Sequence, residues 1–235
     1  MYAAGLTIFC GLTLSLVAMV LKPFQTANIE LEQKKNILAT VMELKPGDDI
    51  VGIYNKRVTE YLVDFDGAKV DGKAVTDISV AAEYKKPAES RLYPVYEISK
   101  ESDPGQVEFY VFPLYGYGLW DNIWGFVSFG EDLNTIVGVR YEHKTETAGL
   151  GARIATEEIQ NRYTGKKIFD NSGRLVAVEM MKGEGNNYDN DPHRVDGMSG
   201  ATITGKGLNV MLVDYLTAYK SFITSKKGSG SLSLN

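Results

Sequence analysis

Twenty consecutive residues, YAAGLTIFCGLTLSLVAMVL from Tyr2 to Leu21, carry no charged side chain. Wound as a helix at about 1.5 Å per residue, they span roughly 30 Å, the hydrocarbon thickness of a bilayer. The run is expected to be an uncleaved transmembrane helix, because it has neither the basic leader nor the small-residue cleavage site of a signal peptide. Cys10 does not suit a lipoprotein site, since Phe9 stands before it where a small residue is wanted. Lys22, Lys34 and Lys35 follow the run, and on charge alone they favour a cytoplasmic body.

What hangs from this anchor is bounded by a few counts. Lys and Arg total 25 against 30 Asp and Glu, a net charge of -5, which argues against a phosphate-tracking groove and hence against nucleic acid. One cysteine excludes a disulfide framework, a CxxC redox pair, a thiolate zinc site and an iron–sulfur cluster. Two histidines, His143 and His193, make no metal cage, so no metal site is expected. If this chain moves electrons, the carrier is an organic cofactor.

Residues 1–22 are assigned to the membrane helix, 23–46 to a helical stalk, 47–225 to a folded domain and 226–235 to a flexible tail. In the stalk, Ile37, Leu38, Val41 and Leu44 share a helical face from Asn28 to Leu44, and Pro46-Gly47 ends it. Short strands follow, separated by the Asp66-Gly67 and Asp71-Gly72 turns. Clearer strands are predicted over Leu92–Ile98, Val107–Leu114, Ile123–Phe129 and Thr135–Glu142, and another over Arg174–Met181. Helices are predicted from Ile154 to Tyr163 and from Gly207 to Ser225, the latter with Leu208, Leu212, Tyr215, Tyr219 and Phe222 on one face. The domain is thus α+β, a mainly antiparallel sheet with packed helices.

Three stretches hold more glycine and small polar residues than strand connections need. The first, Gly116 to Gly125, contains both tryptophans, Trp120 and Trp124. It reads either as a ligand-approach loop or as a hairpin turn with aromatic cover. The second, Thr145 to Gly151, includes Glu146, Thr147, Gly149, Leu150 and Gly151 between a strand and a helix. It could receive a polar ring edge on free N–H groups, or simply cap the helix through Thr145 or Thr147. The third, Asp196 to Thr204, leads into the last helix. There a phosphate could sit at the helix N-terminus, or Ser199, Thr202 or Thr204 could serve only as a cap. Neither histidine stands in a nucleophile-elbow pattern with Ser199, and no carboxylate pair suggests hydrolysis, so no catalytic residue is assigned.

The third stretch, DGMSGAT over Asp196–Thr202, matches the D-x-x-S/T-G-A-T flavinylation motif of membrane redox proteins, in which a transferase esterifies the last threonine with FMN. GYGLWDNIWGF and YEHKTETAGLGARI resemble the corresponding stretches of FMN-binding domains, with Ala148 standing where relatives often carry proline. With the single span and the QKKNILATV stalk, the chain resembles the C subunits of sodium-translocating NADH:quinone reductases. The resemblance implies covalent FMN on Thr202, with Asp196, Ser199, Gly200 and Ala201 as the recognition positions around it. Glu146, Thr147, Gly149, Leu150, Gly151 and Trp120 are implied as further cofactor contacts. It implies a cell inner membrane protein with its domain on the periplasmic side, overruling the charge reading. It also implies an electron carrier between iron–sulfur subunits and the FMN of the B subunit, matured by an FMN transferase. Rival readings are the G subunit of an Rnf-type ferredoxin:NAD complex and, in another class, a membrane-anchored binding protein without redox function.

Overall fold

The uncharged run and the polar segment after it form one helix, α1 (Tyr2–Ala39), with Pro23 inside it where apolar sequence gives way to polar. The computed structural model describes residues 2–232, with side chains through residue 228. The apolar part of α1 is long enough to cross a membrane, and none of it is buried against the rest of the chain. Its far end is different: Ile37 and Leu38 are fully buried. The helix stops at Ala39 rather than at Leu44 because Thr40 turns away into the sheet. The Thr40 hydroxyl donates to the Ile37 carbonyl (2.7 Å), and its own carbonyl accepts from Ser128 Oγ (3.0 Å).

Where short strands were expected after Pro46-Gly47, a helix comes first. This helix, α2 (Ile50–Arg57), starts at Asp49, whose carboxylate accepts the Gly52 N–H at 2.9 Å, a standard N-cap. Strands β1 (Val58–Val63) and β2 (Lys69–Val70) follow, then the one-turn α3 (Val80–Glu83). Next come β3 (Tyr93–Ser99), β4 (Val107–Tyr117), β5 (Asn122–Phe129) and β6 (Ile136–His143). These six strands make one sheet in the order β2-β1-β3-β4-β5-β6, antiparallel throughout. The expected α+β architecture is borne out.

After β6 come a 3-10 turn (Gly151–Ala155), α4 (Glu157–Asn161), the two-residue parallel pair β7 (Glu179–Met180) and β8 (Arg194–Val195), and α5 (Thr202–Leu232). The helix expected over Ile154–Tyr163 is broken at Thr156, which is extended. The Gln160 side chain instead donates to the Tyr141 and Ile154 carbonyls (3.2 and 3.3 Å). The strand expected over Arg174–Met181 shrinks to Glu179–Met180, because Ala177 lies in the left-handed region at φ 58°. α5 begins at Thr202, ahead of the expected Gly207, and continues through residues 226–232, where a flexible tail was expected. The remainder of that tail, 233–235, lies outside the described residues.

Strand alternation puts a core on each face of the sheet. Tyr93, Val95, Phe112, Leu114, Ile123 and Val127 face α5, meeting Leu208, Leu212, Tyr215, Tyr219 and Phe222. All five α5 side chains are buried, as the helical spacing predicts. The Tyr219 ring stacks on Phe112 with centroids 4.2 Å apart, and its hydroxyl donates to the Pro94 carbonyl at 2.6 Å. On the other face Leu62, Tyr96, Ile98, Val111 and Phe126 receive Ile37 and Leu38 of α1 and Tyr54 of α2. That seam requires a glycine at 138, since a Cβ there would land on the Thr40 carbonyl oxygen. The fold therefore grips α1 by its last turn and leaves the β4–β5 hairpin, the loop after β6 and the start of α5 at one end.

Candidate functional site

The three glycine-rich stretches meet at this end, and one side chain joins them. The carboxylate of Glu146, only 7% exposed, reaches out of the second stretch. Its Oε1 accepts the Leu119 and Trp120 N–H groups of the hairpin at 2.8 and 2.9 Å. Its Oε2 accepts the Thr204 hydroxyl of α5 at 2.7 Å. No cation pairs with it among the described residues, so hydrogen bonds alone compensate its burial. The close approach is possible because Gly118 and Gly151 lack side chains: a Cβ on either would strike a Glu146 carboxylate oxygen. Glu146 is thus the clasp of the site.

Around the clasp, the Trp120 indole N–H donates to the Thr147 hydroxyl at 3.1 Å. The Leu150 and Ala152 N–H groups both bond the Thr147 carbonyl at 3.1 Å, making the turn that Gly149 permits at φ 74°. Gly200 takes the same left-handed conformation (φ 73°), and a Cβ there would sit 2.8 Å from Leu150 Cδ2. Tyr117, Leu119, Trp120, Leu150 and Ile203 remain exposed, a set of large apolar groups at one end of the domain.

A second network holds the Asp196–Thr202 segment from behind. Glu184 accepts hydrogen bonds from the two terminal guanidinium nitrogens of Arg153 (2.6 and 2.9 Å), the Ser199 N–H (2.9 Å) and Arg162 (3.2 Å). The Arg153 pair, followed by the Ser199 N–H, holds the Glu184 carboxyl down to about 2. Arg162 also donates to the Asp196 and Gly197 carbonyls (3.2 and 2.5 Å) and pairs with Glu158 (2.6 Å). Burial alone would raise the Asp196 carboxyl, but the N–H groups of Gly185, Asn186 and Gly197 outweigh it and hold it low. Asp196 therefore ties the Gly185–Asn186 turn to the start of its own segment.

Thr202 opens α5. Its hydroxyl makes no hydrogen bond among the described residues, and neither does that of Ser199, while Thr204 turns to Glu146. None of the three caps the helix. The first bond into α5 is Gly205 N–H to the Ala201 carbonyl (3.0 Å), leaving the N–H groups of Thr202, Ile203 and Thr204 without acceptors among the described residues. Ala201 is buried beneath them. Arg153, Arg162 and Glu184 are members of the site that the sequence did not reveal as such, and Thr204, read there only as a possible cap, is a partner of Glu146 instead. Only the Glu158–Arg162 spacing of four residues hinted at an ion pair.

The class of the domain follows from the family profile described as "FMN-binding domain", which matches residues 118–217, the stretch that holds the hairpin, the loop after β6 and the start of α5. The C subunit of the Na(+)-translocating NADH-quinone reductase of Haemophilus ducreyi is 34% identical over 219 residues, covering 87% of this chain and 83% of the relative. That of Neisseria meningitidis serogroup A is 28% identical over 244 residues, covering 97% and 93%. The crystal structure of the same C subunit from Parabacteroides distasonis superposes with a TM-score of 0.74 at 34% identity, covering 87% of this chain and 97% of that one. The structure of Shewanella oneidensis NqrC gives 0.73 at 28% identity, covering 84% and 97%. The chain belongs to the family of Na(+)-translocating NADH-quinone reductase C subunits.

Proposed function

We propose that this chain is the electron-carrying C subunit of a sodium-pumping NADH:quinone reductase and holds FMN through a phosphoester to Thr202. The observation that carries the reading is the Thr202 hydroxyl, unengaged beside three helix N–H groups without acceptors. A phosphate esterified there has both a positive helix end and free donors to receive its oxygens. The exposed Leu119, Trp120, Leu150 and Ile203 give a flat aromatic ring apolar neighbours, so the residues present fit the group.

Bound FMN supplies the redox chemistry, accepting and releasing electrons singly. The chain's own residues hold and screen it. Thr202 Oγ1 would be the ester oxygen, losing its proton as an FMN transferase joins the flavin phosphate to it during maturation. Thr147, Leu150 and Gly151 line the ring, with Trp120 as its shield. Glu146 makes no direct contact in this reading and positions the hairpin and α5 around the ring. With FMN bound, the chain would carry electrons from iron–sulfur subunits to the B subunit. α1 anchors the chain in the cell inner membrane with the domain on the periplasmic side, where little free flavin exists to replace a lost cofactor. A covalent tether answers that need.

The reading is tested by coexpressing the chain with its FMN transferase and viewing a denaturing gel under ultraviolet light. The wild-type band fluoresces, and Thr202→Ala is dark. A Thr202→Ala band as bright as wild type refutes the attachment site.

A further inference from the structure

On the sheet face opposite α5, a groove of about 810 Å³ runs between α1 and the Val75–Ala81 segment. Its floor is apolar, with Tyr96, Pro113, Trp124 and Phe126 among its residues. The only charged side chains lining it, among the described residues, are two carboxylates, Glu32 of α1 and Glu142 of β6. Glu32 has a neighbour on its own helix, Lys35 at 3.7 Å. Glu142, partly buried, forms no ion pair or side-chain hydrogen bond among the described residues. Burial, followed by the charge of Glu32, raises the Glu142 carboxyl, with His143 and Lys35 opposing more weakly. Two carboxylates in an apolar groove, one of them without an ion pair among the described residues, call for a cation brought with an apolar body.

From the structure we infer that this groove docks a partner subunit of the membrane complex, through an apolar segment carrying a Lys or Arg that reaches Glu142. The inference rests on the proposed reading of the chain as a subunit. The height of the groove favours protein over lipid. Ile29 and Asn36 of its wall lie eight and fifteen residues beyond Leu21, so at 1.5 Å per residue the groove begins about 12 Å past the apolar run and extends to about 22 Å. A lipid tail would have to leave the bilayer to fill it. The groove also flanks the flavin site: Tyr115, Trp124 and Glu142 are paired across β4, β5 and β6, two residues before the Tyr117–Asn122 hairpin pair. A partner seated there is held within roughly 7 Å of the hairpin end along the strands.

The test compares carboxyl labelling, by a carbodiimide with glycine ethyl ester, in the intact detergent-solubilised complex and in the purified full chain. Peptide mass spectrometry then reads Glu142 and, as a control, the exposed Glu101. Labelling of Glu142 is expected to fall at least tenfold in the complex while Glu101 is unchanged. Glu142→Lys is expected to release the chain from the complex while its gel band stays as fluorescent as wild type. A benzophenone side chain at Val80 is expected to capture a peptide of another subunit. Equal labelling of Glu142 in both states, retention of Glu142→Lys in the complex, or capture of lipid alone overturns the docking face and leaves the flavin reading intact. A wild-type chain that leaves the membrane with no companion subunit overturns the subunit reading and the docking face together.

Discussion

Replacing Glu146 by alanine removes the acceptor of three hydrogen bonds at once, those from Leu119 N–H, Trp120 N–H and Thr204 Oγ1. A hydrogen bond to a charged group contributes about 1.5–3 kcal/mol, and a buried donor left without a partner loses its solvation as well. Leu119 and Trp120 are exposed residues and their N–H groups partly regain water, so the expected cost of Glu146→Ala is about 3–5 kcal/mol rather than the full sum. Glu146→Gln keeps the shape: its amide oxygen accepts both N–H groups and its NH₂ donates to the Thr204 oxygen. Only the charge assistance is lost, about 1–2 kcal/mol. The assay is denaturant unfolding of the detergent-solubilised chain, followed by fluorescence of the two tryptophans, Trp120 at the clasp and Trp124 on β5. Amide exchange at Leu119 and Trp120 supplies the local readout and should accelerate in Glu146→Ala. In a double-mutant cycle with Thr204→Val, Glu146→Ala should couple by about 1–2 kcal/mol. If Glu146→Ala lies within about 0.5 kcal/mol of wild type, or Glu146→Gln costs as much as Glu146→Ala, the clasp does not carry the load assigned to it.

Thr202→Ala should leave the unfolding free energy within about 0.5 kcal/mol of wild type when both are isolated without flavin, because the hydroxyl makes no hydrogen bond among the described residues. Gly138→Ala should detach the end of α1 from the sheet, costing more than about 2 kcal/mol and exposing the Thr40 region to limited proteolysis; unchanged stability and cleavage refute the seam. The Glu184 carboxyl is lower in the folded chain, about 2, than its usual 4.5, so its stabilisation is complete above about pH 4.5 and disappears as pH falls toward 2. Exchange of the Ser199 N–H, corrected for the intrinsic pH dependence, should therefore lose protection across that window. The same profile in Arg153→Ala should be flattened.

Much of the fold could be read from the chain, for a physical reason. β3 to β6 are half or fully buried strands whose apolar alternation is local, and α5 shows its buried face at helical spacing. The misreadings fall where a distant group decides local structure. Thr40 ends α1 by giving its carbonyl to Ser128, eighty-eight residues away, and no local pattern announces that. The Gln160 side chain bonds Tyr141 and Ile154 and replaces a continuous helix with a 3-10 turn and a short one. Met180 is pinned in its short strand by Asn209, which bonds both its N–H and its carbonyl (2.8 and 2.9 Å). At the site, glycine spacing and small hydroxyls exposed the three loops. Their union through Glu146 did not show, because the partners Leu119, Trp120 and Thr204 lie up to fifty-eight residues from it. Glu184 was equally silent: its loop carries no pattern, and only the fold brings it to Arg153 and Ser199.

The mass of the intact chain reads the proposed phosphoester itself. Material isolated from membranes that contain the FMN transferase should be heavier than the bare polypeptide by one FMN less one water, with the extra mass confined to the peptide bearing Thr202. A mass equal to that of the unmodified sequence, or an FMN adduct on another peptide, contradicts the account.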